Sequence, residues 1–94
     1  SETGVIISFY KNGDVLVFKG RCKLNSLHVA NTSGSALTVS VYDSDDTSSS
    51  GDVEVCRMVL LAGTSGEYDM HGRICAKGLY AVKTGTGFYS LEWS

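Results

Sequence analysis

Short apolar runs broken by turn-forming residues recur about every ten residues along this chain, and no other feature narrows its fold as much. The runs are Val5-Ile6-Ile7-Ser8-Phe9-Tyr10, Val15-Leu16-Val17-Phe18, Leu24 to Asn31, Leu37 to Tyr42, Val53 to Ala62, Leu79 to Val82 and Phe88 to Trp93. Between them lie Lys11-Asn12-Gly13-Asp14, Thr32-Ser33-Gly34, Gly63-Thr64-Ser65-Gly66 and Thr84-Gly85-Thr86-Gly87. Leu37, Val39 and Val41 alternate with Thr38, Ser40 and Tyr42, the period-2 pattern of a strand with one buried face. Helical periodicity is missing, and Val53 to Ala62, rich in β-branched residues, reads as a buried strand.

Seven to eight short strands follow, in a single domain over residues 1–94. The expected fold class is all-β, an antiparallel β-sandwich or jelly roll. Asn12-Gly13 predicts a tight hairpin between the first two strands, because both central turn positions tolerate positive φ. Thr84 to Gly87 predicts a closing hairpin. The apolar phase slips between Leu24 and Leu27, which predicts a bulge near Asn25-Ser26. Asp43 to Asp52 reads as a polar loop with a flexible serine tip. Glu67 to Cys75 is the least legible stretch, with Tyr68 and Met70 on one parity and a break at Gly72.

At 94 residues the energy balance is tight. Burying about 5,500 Å² of apolar surface contributes on the order of 140 kcal/mol. Ordering the chain opposes this by about the same amount. A monomer is therefore marginal, and self-association or a large partner surface is expected. The net charge of −2 carries no basic excess for phosphate neutralisation, so no nucleic-acid partner is expected. No apolar run reaches the length of a membrane span. Ser1-Glu2-Thr3-Gly4 lacks the basic start of a signal peptide, and Ser1 suits Met removal, so an intracellular start is expected. Cys22, Cys56 and Cys75 are odd in number and widely spaced. They read as buried, reduced thiols, with one bridge plus one free thiol as the alternative.

Chemistry-bearing patterns are weak. Asp43, Asp45 and Glu54 fall at spacings that suit Ca²⁺, but Ser48 stands where the loop needs glycine, and no flanking helices are predicted. Cys22, Cys56, Cys75, His28 and His71 lack the close pairs of a zinc site. Asp69, His71 and the many serines form no recognisable nucleophile setting. Gly85-Thr86-Gly87 is not followed by a helix, so it is no phosphate loop. Asn31-Thr32-Ser33 matches a glycosylation sequon, discounted because nothing else points to secretion. The chain is therefore expected not to be an enzyme, and to use no metal and no cofactor. Tyr10, Tyr42, Tyr80, Tyr89 and Trp93 lie in predicted strands, where they fill a core, cover a subunit contact or offer rings to a sugar.

The first strand is apolar on both faces, so it is expected either to be covered in its own domain or to pair with another chain. Ala36-Leu37-Thr38-Val39-Ser40-Val41-Tyr42-Asp43, Gly78-Leu79-Tyr80-Ala81-Val82-Lys83-Thr84-Gly85 and Phe88-Tyr89-Ser90-Leu91-Glu92-Trp93 resemble segments of small all-β bacteriophage virion proteins of the capsid decoration or cement type. The resemblance spans about half the chain and transfers no catalytic motif. It implies synthesis in the host bacterial cytoplasm and residence in the virion. It also implies binding to the major capsid protein or other virion proteins, and assembly as a homo-oligomer, a trimer. Val5, Ile6, Ile7 and Phe9, together with Tyr89 and Trp93, are the expected partner-contact residues. The alternative is a carbohydrate-binding or adhesive module of a phage tail or fibre.

Overall fold

The computed structural model describes residues 6–7, 13–48 and 50–94. Eight strands run β1 (Ile6–Ile7), β2 (Val15–Lys19), β3 (Cys22–Ala30), β4 (Leu37–Asp43), β5 (Val53–Leu60), β6 (Ser65–Cys75), β7 (Gly78–Thr84) and β8 (Phe88–Trp93), with no helix among the described residues. They form two four-stranded sheets of order β1-β8-β3-β6 and β2-β7-β4-β5. All the pairings are antiparallel. Strands 1 and 8, 2 and 7, 3 and 6, and 4 and 5 are partners. This is one long nested hairpin rolled until its two halves stack, the jelly-roll topology.

That topology corrects two local expectations. β1 pairs with β8 and β2 with β7, in different sheets, so β1 and β2 form no hairpin; Asn12 itself lies outside the described residues. Likewise β7 and β8 lie in different sheets, and Thr84 to Gly87 is a corner between them. Turn residues encode a chain reversal, but the reversal can lead to either layer. Among the described residues the one pairing of consecutive strands is β4 with β5, across the polar loop.

Alternation dictates the core. Leu24, Leu27 and Val29 from β3, Tyr89 and Leu91 from β8, Leu37, Val39 and Val41 from β4, and Leu79 and Ala81 from β7 are all essentially inaccessible. The expected bulge is present: the β3 register shifts between Leu24 and Ser26 against both neighbours. On β6 the residues facing that shift are Met70, His71 and Gly72, with His71 at φ 54° and Gly72 at φ 73°. The Asp69 carboxylate accepts the His71 N–H at 3.0 Å, closing the kink. This departure from period 2 is what made Glu67 to Cys75 hard to read.

Val53 to Ala62 is not a buried strand. β5 is the edge of its sheet, and it alternates between Met58, 4% exposed, and Val59, 60% exposed. Its apolar character on both faces implied burial on both faces, but Val59 opposes Thr38 on the sheet's outward face, while Met58 opposes the buried Val39.

Gly78 carries the tightest backbone approach. A Cβ there would fall within 3.0 Å of the Phe18 and Ser44 carbonyl oxygens, at φ +150°. Gly34 has nothing within 4 Å. Gly78→Ala is expected to destabilise the fold by about 2–4 kcal/mol in chemical denaturation, while Gly34→Ala stays within about 0.5 kcal/mol of wild type. Equal stabilities for the two variants would contradict the β7 geometry.

Candidate functional site

Of the expected contact residues, Ile6 and Ile7 form β1, which pairs with β8 opposite Trp93 and Glu92. β1 is therefore an edge strand of its own domain. Val5 and Phe9 lie outside the described residues, as does Tyr10. Tyr89 and Trp93 are core residues and not surface ones. Tyr89 is 0% exposed and its hydroxyl donates to the Gly13 carbonyl, with burial pushing the phenol well above its ordinary pKa. Trp93 is 9% exposed, tilted against Phe18 at the end of the core. Both sit on the inward parity of β8, a face that alternation alone could not assign.

The outward parity of the same sheet holds a polar cluster that sequence reasoning missed. Ser26 and His28 of β3 face Asp69 and Glu67 of β6 on one side and Glu92 and Ser90 of β8 on the other. The Ser26 hydroxyl donates to Glu92 Oε1. His28 Nε2 lies 3.2 Å from Ser26 Oγ and 3.5 Å from Glu92 Oε1, and its Nδ1 lies 3.9 Å from Glu67 Oε1. Serine, histidine and carboxylate thus converge, but the serine proton points to a carboxylate. Backbone N–H groups of a sheet lie in the plane of the strands, so none is aimed outward to stabilise an oxyanion. What the cluster can do is exchange protons and hydrogen-bond across three strands. The only sequence signal was His28 on the polar parity of an otherwise apolar strand.

The acidic loop is committed to structure. Asp43 accepts backbone N–H groups of Ala76 at 3.0 Å, Lys77 at 2.8 Å and Gly78 at 3.2 Å, pinning the β6–β7 turn to the opposite sheet. Asp52 pairs with Lys77 at 2.8 Å, and that hydrogen bond holds its carboxyl below the ordinary range. The buried Ser44 hydroxyl donates to the Ser48 carbonyl at 3.0 Å and to the Asp46 carboxylate at 3.1 Å, bracing the first half of the loop; Ser49, in the expected serine tip, lies outside the described residues. Among the described residues no set of His, Cys, Asp and Glu converges as metal ligands. The sequon asparagine is equally engaged: Asn31 is 3% exposed and its amide donates to the carbonyls of Ser35, Leu60 and Leu61.

The second sheet differs. On its outward parity Tyr42, half-buried, and Tyr80, only 8% exposed, are opposed partners, ring centroids 6.5 Å apart, beside a salt bridge in which Arg57 donates to Glu54 at 2.9 Å. At its edge β5 leaves Val53 59% and Val59 60% exposed, and Leu61 just beyond is 75% exposed. Across the gap between the sheets' edges the Tyr68 hydroxyl donates to the Arg57 carbonyl at 3.0 Å, and the Asn31 amide donates to the Leu60 and Leu61 carbonyls at 3.2 and 3.0 Å. This edge can bury apolar surface and offer backbone groups to another chain. Its residues were visible in the sequence as an apolar run, but their exposure was not.

No family model matches the chain and no curated protein matches its sequence.

The Ser26 hydroxyl, then the His28 ring, hold the Glu92 carboxyl below its ordinary 4.5. A depressed carboxyl stabilises the fold above its unfolded pKa and loses that contribution as pH falls through the lower folded value. Ser26→Ala is therefore expected to move the Glu92 midpoint up toward 4.5 in a side-chain NMR titration and to bring acid destabilisation to higher pH. An unmoved midpoint would show that the Ser26 contact does not form.

Proposed function

We propose that this jelly roll is a structural protein of a bacteriophage particle, a capsid decoration or cement protein. In this reading it binds the major capsid protein or other virion proteins, associates with itself as a trimer, and is made in the host cytoplasm before joining the virion. The observation that carries the reading is the apolar edge at β5, with Val59 and Leu61 60% and 75% exposed. An edge strand that keeps apolar side chains outward invites another chain unless a partner covers it. Eight-stranded jelly rolls recur among viral capsid domains, which supports the reading by analogy of fold alone.

The mechanism is mechanical. Interfaces of about 1,600 Å² suffice for stable association. Repetition over a lattice multiplies weak contacts into avidity, so a capsomer leaves only when several such interfaces break together. No proton transfer, nucleophile or cofactor enters, and the cluster at Ser26, His28 and Glu92 serves as a cross-strand brace.

A second reading rests on Tyr42 and Tyr80. The half-buried Tyr42 ring, backed by the buried Tyr80 ring and beside an Arg–Glu pair, offers one stacking surface to a sugar, and lectin domains share this topology. In that case the protein is a carbohydrate-binding or adhesive module of a tail or fibre.

Light scattering on the purified protein distinguishes the two. The structural reading expects a stable oligomer that the double substitution Val59→Lys with Leu61→Lys converts to monomer, with circular dichroism and thermal midpoint retained. A wild-type monomer that binds glycans, with binding lost in Tyr42→Ala, would overturn it in favour of the second reading.

A further inference from the structure

Cys22 and Cys75 lie far apart in the chain, yet they are direct register partners across the β3–β6 ladder. Directly opposed residues share a face, and both thiols point into the core, Cys22 5% and Cys75 0% exposed. The type of site follows from the neighbouring ladder. Lys23 exchanges both backbone hydrogen bonds with Ser94, at 2.9 and 3.0 Å, so its amide and carbonyl face β8. Those of Cys22 therefore face β6, and Cys22–Cys75 is a hydrogen-bonded pair with Cα atoms about 5.5 Å apart. That separation is the commonest one for disulfides. The Cβ atoms of such a pair stand about 1 Å wider than a disulfide prefers. Cys22 opens β3 and Cys75 closes β6, and strand ends can absorb that adjustment.

We propose that Cys22 and Cys75 form a reversible cross-strand disulfide when the protein meets a small-molecule disulfide, as in an oxidising medium, and that Cys56 stays a free thiol. The exchange balances without any other reactant. The Cys22 thiolate attacks one sulfur of the disulfide RSSR, forming a mixed disulfide and releasing RS⁻. The Cys75 thiolate then attacks the Cys22 sulfur and releases the second RS⁻. The two thiol protons end on the two RS⁻ groups, so the protein loses two hydrogens and RSSR becomes two RSH.

All three thiols are free in the structure. Burial raises the Cys22 thiol and pushes Cys75 to about 11, which keeps the closed fold slow to react and makes exchange faster as pH rises. The third thiol, Cys56, sits on β5 opposite the inward Val41 in the other sheet and packs against the same core. Burial pushes it to about 11 and its charge is felt at Cys75, but it is no ladder partner of either cysteine. Because the Cβ atoms must close by about 1 Å, the bond is more easily reduced than an unstrained one. Once formed, it ties the edge strand β6 to the central strand β3 at the end beside the β6–β7 turn.

The test incubates the full chain with oxidised glutathione at mildly alkaline pH, followed by alkylation, intact mass and peptide mapping. The expected product has lost two hydrogens, contains a Cys22–Cys75 peptide and carries one alkyl group, on Cys56. Its thermal midpoint is expected about 5–10 °C above the reduced protein, reversed by dithiothreitol. Cys56→Ser should react in the same way. Three alkylated cysteines, a persistent glutathione adduct or a linkage through Cys56 would overturn the proposal. These readouts are made on the wild-type chain and do not depend on whether a cysteine variant folds.

Discussion

The molecule depends on one contact: the inward rows of two sheets pressed face to face. The two sheets share no ladder, so strand hydrogen bonds stabilise each layer without joining the layers. Leu24, Leu27, Tyr89 and Leu91 on one side, and Leu37, Val39, Val41 and Leu79 on the other, are removed from water only if the layers close. Apolar burial is therefore the term that makes the fold, as expected for a sandwich.

Polar contacts decide how the layers sit. Asp43 reaches from β4 to the amides of the β6–β7 turn. Asn31, at the end of β3, holds the carbonyls of Leu60 and Leu61. Tyr89 spans from β8 to Gly13, and Tyr68 reaches the edge of β5. Each satisfies groups that would otherwise be orphaned where the chain crosses between layers. Residues that looked like a cation loop and a glycosylation site are thereby accounted for as joints of the roll. With the inward aromatics consumed by the core, the surface proposed to meet another molecule is the β5 edge, where Val53, Val59 and Leu61 are exposed.

Apart from β6, and from the first strand, whose expected span lies mostly outside the described residues, strand positions were legible to within a few residues, and so was the bulge near Asn25-Ser26, because both follow from local alternation. Partner choice was not. Asn12-Gly13 and Thr84 to Gly87 have the chemistry of hairpin turns, yet the strands they join lie in different sheets. Period 2 says that Tyr89 and Leu91 share a face but not which way that face points, so Tyr89 and Trp93 read equally well as surface rings. The cluster of Ser26, His28, Glu67 and Glu92 and the pairing of Cys22 with Cys75 depend on register between distant strands, which no local pattern records.

By itself the sequence determined that the chain is all-β, roughly where its strands run, and that it carries no recognisable catalytic spacing. These follow from side-chain period and turn chemistry, which act over a few residues. Only the tertiary structure decided the jelly-roll order, the edge position of β5, the burial of Tyr89 and Trp93, and the meeting of Cys22 with Cys75. The physical reason is that ladder hydrogen bonds are much alike for any pair of strands. Which strands pair is settled by the one arrangement that buries all the inward rows at once, a property of the whole chain and of no segment within it.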